Sequence, residues 1–194
     1  LSDVVSVETL KDEIRGVEKE APRSFRVSRL HFQILMKKLF GGMVENIIKD
    51  RWFNQIAVGI NPFKEWRRMY DTISNKKLWA GDIKSWDGSM LPQAQSAVID
   101  LLVSKMQGSS LEKDLASKIL GFSIYCPVVI NNITLMTTHS MPSGIFLTAI
   151  LNSIINRFYT GMWYYRNMRF KNVTPHDFIE HVGTHEIGLE FFDI

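Results

Sequence analysis

The most restrictive feature of the sequence is the stretch 77–90, where an apolar run leads to two carboxylates, Asp82 and Asp87. Residues five apart on a regular strand point to opposite faces, so the two carboxylates cannot share a target there. They can share one if the strand ends near Asp82, the chain folds back over 84–88, and Ser89 caps the next helix. A carboxylate at the end of a buried strand suits Mg²⁺. Because D-x4-D is a short motif, a turn aspartate beside a helix-start aspartate is the alternative.

The composition is that of an ordinary globular protein. The chain has 194 residues, 45% hydrophobic and 22% charged, enough for one large domain or two small ones. Its net charge of +3 is compatible with nucleic acid. The single cysteine excludes an internal disulfide, and no apolar run or signal pattern predicts a membrane span or export. We therefore expect an intracellular protein. The first residue is not methionine and the last residues form a strand-like run, which suggests an excerpt of something longer.

The first thirty residues contain the densest cluster of basic side chains, interleaved with acidic ones. Arginine and lysine spaced along an extended segment suit a polyphosphate, because their donors bind phosphate oxygens. A solvated surface of mixed charge is the alternative, and on this segment alone it is favoured. Residues 24–30 have strand composition. The basic residues are Lys11, Arg15, Lys19, Arg23, Arg26 and Arg29.

Two helices are predicted in the next part of the chain. Apolar residues recur at helical spacing over 31–49, and Gly41-Gly42 predicts a break or bend within that helix. Asn61-Pro62 is typical of a helix start, with a capping residue before a proline. Aromatic residues along one face of this second helix are assigned to the core: Phe63, Trp66 and Tyr70.

The middle of the chain predicts two more helices and a hairpin. Apolar spacing favours a helix over 91–108, and Ser109-x-x-Glu112 is a capping box for a helix ending near Gly121. In 127–136, two β-rich runs flank an Asn-Asn pair. Asparagine tolerates positive φ, so this segment predicts a hairpin with a two-residue turn.

The second informative stretch is 140–156, which becomes apolar on almost every side from Ile145 onward and therefore predicts a buried helix. Its polar exceptions lie four residues apart and form one stripe. Such a stripe must face groups that satisfy it. A structural hydrogen-bond network is one interpretation; a polar ligand, with Ser143 and Gly144 in a flexible loop above it, is the other. The stripe comprises Gly144, Thr148, Asn152 and Asn156.

In this order, the motifs resemble those of RNA-dependent RNA polymerases of picornavirus-like positive-strand RNA viruses. The resemblance rests on KDEIR at Lys11 with basic residues to Arg26, on Ala57-Val58-Gly59, on D-x4-D, and on MPSG-x3-T-x3-N from Met141. It covers nearly the whole chain, to just short of the family's Gly-Asp-Asp motif. The last two motifs together are the most specific. The chain differs at His139-Ser140, where many relatives have two glycines.

The resemblance implies a catalytic and cofactor assignment. Asp82 would be the first metal-binding aspartate of the palm and would hold Mg²⁺ or Mn²⁺. The basic motif would bind the triphosphate and line the nucleotide channel. Its residues are Lys11, Arg15, Lys19, Arg23 and Arg26.

The resemblance also implies how the sugar is selected. Asp87 would bind the ribose 2′-OH of the incoming nucleotide. Ser143 and Gly144 would form a mobile loop that positions nucleotide and template. Thr148 and Asn152 would complete the ribose pocket, with Asn152 holding Asp87.

The implied fold is an α+β right-hand polymerase: fingers plus a partial palm, whose incomplete antiparallel sheet packs on helices. Residues 1–76 would be fingers with the basic motif, and 77–92 the palm strand and turn with the first catalytic aspartate. Residues 93–137 would be fingers helices and hairpin, and 138–194 the palm loop, helix and strand leading to the catalytic turn.

The implied function is template-directed RNA synthesis that replicates a viral genome. A ribonucleoside triphosphate would transfer its nucleotidyl group to an RNA 3′-OH by a two-metal mechanism. Expected partners are template and primer RNA, the triphosphates and other viral replication proteins, in replication complexes of the host cytoplasm. No Gly-Asp-Asp occurs in these residues, so we expect them to be inactive alone.

Two other classes of protein share part of this pattern. A reverse transcriptase-like polymerase also has a palm aspartate, but it usually carries a bulky steric gate rather than an Asp–Asn pair. A non-catalytic RNA-binding domain would explain the basic segment but not D-x4-D together with the polar stripe.

Overall fold

A computed structural model describes residues 5–14, 16, 22–74 and 81–168. Its strands are β1 (Ser6–Leu10), β2 (Ser24–Val27), β3 (Pro127–Ile130) and β4 (Ile133–Met136). Its helices are α1 (Leu30–Lys49), α2 (Arg51–Asn54), α3 (Pro62–Ile73), α4 (Trp86–Ser89), α5 (Pro92–Lys105), α6 (Ser110–Ile124) and α7 (Thr148–Met168). The chain divides into two compact units. The first comprises Leu1–Val44 and Lys84–Leu151, the second Glu45–Ile83 and Asn152–Ile194.

The first unit contains a four-stranded sheet in the order β2-β1-β3-β4. β1 pairs antiparallel with β2 and parallel with β3, and β3 pairs antiparallel with β4. The predicted hairpin is confirmed: Asn131 adopts a φ of 54° in the turn between β3 and β4, in the left-handed region that asparagine tolerates. The strand predicted over 24–30 ends at Val27, because α1 already begins at Leu30.

The break predicted at Gly41-Gly42 is wrong, since α1 continues through both glycines. The alternative of a bend there stays a prediction. Each glycine costs about 1 kcal/mol relative to alanine in a helix interior. Against that, α1 buries an apolar side chain at every fourth position, and each contributes about 1.5–3 kcal/mol. Packing therefore outweighs propensity here. The buried residues are Phe32, Met36, Phe40 and Val44.

Two of the three predicted helix caps are confirmed. The Asn61 side chain accepts a hydrogen bond from Phe63 N at 3.0 Å, ahead of Pro62 at the start of α3. Ser109 and Glu112 form the reciprocal capping box of α6. The third prediction is wrong: Ser89 is the last residue of α4, and its hydroxyl donates to Trp86 O.

In the first unit α5 and α6 pack against each other, and buried apolar side chains also come from α1, β3 and the segment that enters α7. Large buried side chains come from each of these parts of the chain. The most deeply buried include Met36, Phe40, Met90, Leu120, Val128, Leu147 and Leu151.

In the second unit, assigning the aromatic face of α3 to the core is wrong. Phe63, Trp66 and Tyr70 are 99%, 59% and 57% exposed, whereas Met69 is buried. The helix is therefore turned with Met69 inward. An ion pair between Arg51 and Glu65 joins α2 to α3 on this side.

The palm strand predicted before Asp82 falls partly outside the described residues, which omit 75–80. Of its described part, residues 81–83 carry no strand. The strand predicted at 186–194 also lies outside the described residues. The division into fingers and palm segments stays a prediction.

Candidate nucleotide site

Asp87 is positioned by a tight turn that leads into α4. The predicted fold-back over 84–88 is present, and Ser85 within it has a positive φ of 55°. The carbonyl of Asp87 accepts a hydrogen bond from Met141 N at 3.0 Å. This bond ties the turn of Asp87 to the segment 140–144, the 140s loop, which carries Ser143.

The 140s loop lies directly against strand β2. Gly144 forms a parallel β-bridge with Val27. A Cβ at Gly144 would lie 2.1 Å from the carbonyl oxygen of Arg26 and 3.3 Å from Val27 Cα. Glycine is therefore required here by the close approach of two backbones. A mutation to any larger residue must push the loop off the strand.

Arg26 connects the same strand to the start of the loop. Its Nε donates to Glu8 Oε2 at 3.1 Å, and its NH1 donates to Ser140 Oγ at 2.5 Å. Ser140 is buried with a φ of 101°, and its carbonyl accepts from Gln95 Nε2 at 3.0 Å. The chain thus holds a serine in a conformation that favours glycine. Its hydroxyl provides a contact to Arg26 that a glycine could not make.

Thr148 and Asn152 follow the loop on α7. The Thr148 hydroxyl lies 2.9 Å from both Pro142 O and Ile145 O, to either of which it can donate. It also accepts from Ile145 N at 3.2 Å. Thr148 therefore fixes the exit of the loop. The Asn152 Oδ1 is buried and has no hydrogen-bond partner among the described residues, which leaves an acceptor available on the predicted stripe.

The structure contains a cavity of about 270 Å³. It brings together three regions that are distant in sequence: the basic segment, the turn of Asp87 and the 140s loop. Ser24 and Phe25 were not singled out from the sequence. Their place on β2, between Arg23 and Arg26, was the signal that could have included them. The lining residues are Lys11, Arg23, Ser24, Phe25, Asp87 and Ser143.

Two of the residues that line this cavity, Lys11 and Arg23, are both paired with the carboxylate of Glu13. Glu13 Oε2 lies 3.6 Å from Lys11 Nζ and 3.4 Å from Arg23 NH1. A backbone hydrogen bond of 2.8 Å from Lys11 N to Arg23 O holds their segments together. Partly exposed ion pairs of this kind contribute about 0–1 kcal/mol each. An incoming polyphosphate can therefore compete with Glu13 for both cations.

Comparison with known proteins identifies the family. A family model described as viral RNA-dependent RNA polymerase matches residues 2–182. The chain belongs to this family. Its fold is the right-hand polymerase fold, as predicted: it matches the Sicinivirus 3Dpol RNA dependent RNA polymerase with a TM-score of 0.70 at 22% identity, over 82% of this chain and 36% of that one.

The curated relatives of this chain described below are viral polyproteins. The Genome polyprotein of Rice tungro spherical virus (strain Vt6) is 25% identical over 166 residues, which are 82% of this chain and 5% of the polyprotein. The Replicase polyprotein of Drosophila C virus (strain EB) is 28% identical over 171 residues, 80% of this chain and 10% of the polyprotein. The chain thus spans a tenth or less of these relatives.

Asp82, the predicted metal ligand, is exposed in the segment 81–83 of the second unit. An exposed carboxylate fits as one oxygen ligand of a hard cation. Within the described ranges, no group of three or more His, Cys, Asp or Glu residues could hold a metal alone. Asp82 therefore fits a site that needs further ligands.

Of the five basic residues predicted for the nucleotide channel, Lys11 and Arg23 line the cavity, and three do not appear in its described lining. Arg15 and Lys19 lie outside the described residues. Arg26 is bound to Glu8 and Ser140 instead of lining the cavity. The roles predicted for the polymerase site residues stay predictions. Among the described helices, none is both long enough and apolar enough to span a membrane.

Proposed function

We propose that this chain forms the nucleotide-selecting part of a viral RNA polymerase, which adds ribonucleotides to an RNA 3′-OH under the direction of an RNA template. The observation that carries the proposal is the cavity, where Lys11 and Arg23 lie together with Asp87 and Ser143. The basic pair suits a triphosphate, and the carboxylate and hydroxyl suit a sugar. Such a combination in one cavity is what a ribonucleoside triphosphate requires.

Lys11 and Arg23 would bind the phosphates of the incoming nucleotide. Phosphoryl transfer depends mainly on positioning and on stabilising negative charge. Both cations approach Glu13 from neighbouring segments held by the Lys11 N to Arg23 O hydrogen bond. They are therefore preorganised around an oxyanion before the triphosphate enters. On binding, the phosphates would replace the Glu13 carboxylate as their partner.

Asp87 would accept a hydrogen bond from the ribose 2′-OH, the group that distinguishes RNA precursors from DNA precursors. A half-buried carboxylate left without that hydroxyl is destabilised, so a deoxynucleotide would bind less well. Ser143, which also lines the cavity, would contact the same nucleotide. The hydrogen bond from Asn152 to Asp87 stays a prediction.

Asp82 would be one ligand of the divalent cation that the family uses in general, Mg²⁺ or Mn²⁺. Such cations, when bound in a pair, stabilise the attacking and leaving oxygens of an in-line displacement. Asp82 is suited to this because its carboxylate is exposed rather than engaged in the core.

The same proposal gives the partners and the place of action. Template and primer RNA, ribonucleoside triphosphates and other viral replication proteins would bind the complete polymerase. Replicases of positive-strand RNA viruses generally act in the host cytoplasm, which is where we place this one.

The test uses the full-length viral polymerase that contains these residues, in a primed RNA extension assay. Lys11→Ala and Arg23→Ala should each raise KM for the triphosphate, because each removes a phosphate-binding cation. Lys118→Ala is the matched control, since this lysine pairs with Asp114 on the exposed face of α6. A wild-type enzyme that extends no RNA, or cation variants with an unchanged KM, would contradict the proposal.

A further inference from the structure

Gln33 makes two hydrogen bonds to the segment that carries the 140s loop into α7. It lies in the first turn of α1, where its side chain is half-buried. Its Nε2 donates to Gly144 O at 2.5 Å, and its Oε1 accepts from Phe146 N at 2.8 Å. One carboxamide therefore fixes two backbone groups on either side of Ile145.

These two backbone groups lie ahead of α7, which begins at Thr148. Backbone polar groups that precede a helix get no partner from it and need one from elsewhere. A primary amide offers a donor and an acceptor on one small planar group. Asparagine has the same amide on a shorter side chain, and glutamate at neutral pH lacks the donor. Glutamine is thus the residue that fits both bonds at this distance.

The two bonds of Gln33 link the 140s loop to the part of the chain that forms the cavity wall. It follows β2 by only six residues, and β2 bears Arg26, Val27 and part of the cavity wall. Arg26 holds the start of the 140s loop through Ser140, and Gln33 holds its end through Gly144. Ser143, which lines the cavity, lies between these two attachments. Both ends of the 140s loop are therefore hydrogen-bonded to residues that follow Arg23 closely in the sequence.

From this geometry we infer that Gln33 is a positioning residue for nucleotide selection. By holding the backbone at Gly144 and Phe146, it fixes the position of Ser143 at the cavity. The inference rests on the proposed function. Gln33 is not among the residues that line the cavity, so it acts through the loop rather than on the nucleotide. Weakening it should affect the alignment of the bound nucleotide more than the capture of its phosphates, which depends on Lys11 and Arg23.

Two substitutions of similar size separate the two bonds. Gln33→Met removes both. Gln33→Glu keeps the acceptor for Phe146 N but places a carboxylate oxygen against the Gly144 carbonyl, so it should be the more harmful. Gln93→Glu is the matched control, because Gln93 is a glutamine in the first turn of α5 whose side chain does not line the cavity.

The variants are compared in the full-length polymerase by single-nucleotide incorporation with ribo- and deoxyribonucleoside triphosphates. Loss of two neutral hydrogen bonds predicts a fall in kcat of about tenfold for Gln33→Met. KM for the ribonucleotide should change less than about threefold, and the preference for ribose over deoxyribose should fall. Gln93→Glu should match the wild type in all three.

Each result decides a different point. A wild-type polymerase without template-directed incorporation contradicts the proposed function itself. An active polymerase in which both Gln33 variants keep the wild-type kcat and sugar preference contradicts only the role of Gln33. If Gln33→Met lowers Tm so far that the enzyme is unfolded at assay temperature, Gln33→Asn, which keeps the amide, is measured instead. Unchanged sugar preference in folded Gln33→Asn then also overturns the inference.

Discussion

Replacing Gly144 with alanine is the sharpest perturbation that the structure offers. The added Cβ would lie 2.1 Å from the carbonyl oxygen of Arg26, whereas such contacts are ordinarily 3.4 Å or longer. The loop would therefore have to move by roughly 1 Å. That movement would strain the bridge between Val27 and Gly144 and both hydrogen bonds of Gln33.

The expected cost follows from the size of this movement. A misplacement of about 1 Å in groups that position a substrate can reduce the rate about 100-fold. Gly144→Ala should therefore lower kcat for ribonucleotide incorporation by about that factor in the full-length polymerase. Tm should fall as well, because the alanine cannot be accommodated without moving backbone.

Gly42→Ala provides the control within the same unit. Gly42 lies inside α1, and apart from its chain neighbours and the surrounding backbone of its own helix, no atom of the described residues lies within 4 Å of a Cβ added there. Alanine should stabilise this helix by about 0.5–1 kcal/mol and leave kcat unchanged. If Gly144→Ala retains kcat within about threefold of the wild type, the packing of the loop on β2 does not govern the site, and the reasoning fails.

Three further predictions concern single side chains. Asp82→Asn should abolish incorporation by the full-length enzyme while leaving RNA binding nearly intact, and near-normal turnover would refute the metal assignment. Asn152→Ala should reduce the preference for ribose at least about tenfold, since a hydrogen bond to a charged group contributes about 1.5–3 kcal/mol. An unchanged ratio of ribo- to deoxyribonucleotide incorporation would show that the polar stripe is structural. Hydrogen bonds from Ser109 N and Oγ lower the pKa of Glu112. Its stabilising effect should therefore be present above the ordinary pKa of a glutamate and be lost as the pH falls through the lowered pKa. The Tm difference between wild type and Glu112→Gln should therefore shrink on acidification, and a constant difference would contradict this origin.

The features predicted correctly from sequence are those determined by neighbouring residues. The Asn131-Asn132 turn, the cap by Asn61 and the capping box of Ser109 each depend on a few adjacent positions. Their physical causes, a tolerated positive φ or a side chain that reaches the next amides, are therefore complete within the local sequence.

The features predicted wrongly depend on tertiary context. Gly41-Gly42 weakens α1 locally, but burial of four apolar side chains keeps it continuous. The aromatic face of α3 is exposed because helical spacing alone does not tell which of its faces is inward. In the same way, Ser89 has the right chemistry for a cap but lies on the wrong side of a helix boundary.

The sequence motifs indicated some of the residues that line the cavity, but not the contacts that hold its loop, and the roles of those residues stay predictions. Motif order indicated Lys11, Arg23, Asp87 and Ser143, and these four do line one cavity. Gln33 belongs to no motif, and its partners are more than 100 residues away in the sequence. A contact of that kind becomes visible only when the chain is folded.

The central claim is that the cavity binds a ribonucleoside triphosphate with Asp87 at the sugar and Lys11 at the phosphates. The most direct test is the ratio of kcat/KM for ribo- and deoxyribonucleoside triphosphates, measured for the full-length polymerase and for two variants. Asp87→Ala should lower that ratio by about tenfold or more, because it removes the acceptor for the 2′-OH. Lys11→Ala should reduce both kcat/KM values by the same factor and leave the ratio unchanged. A ratio that stays at the wild-type value in Asp87→Ala would contradict the claim.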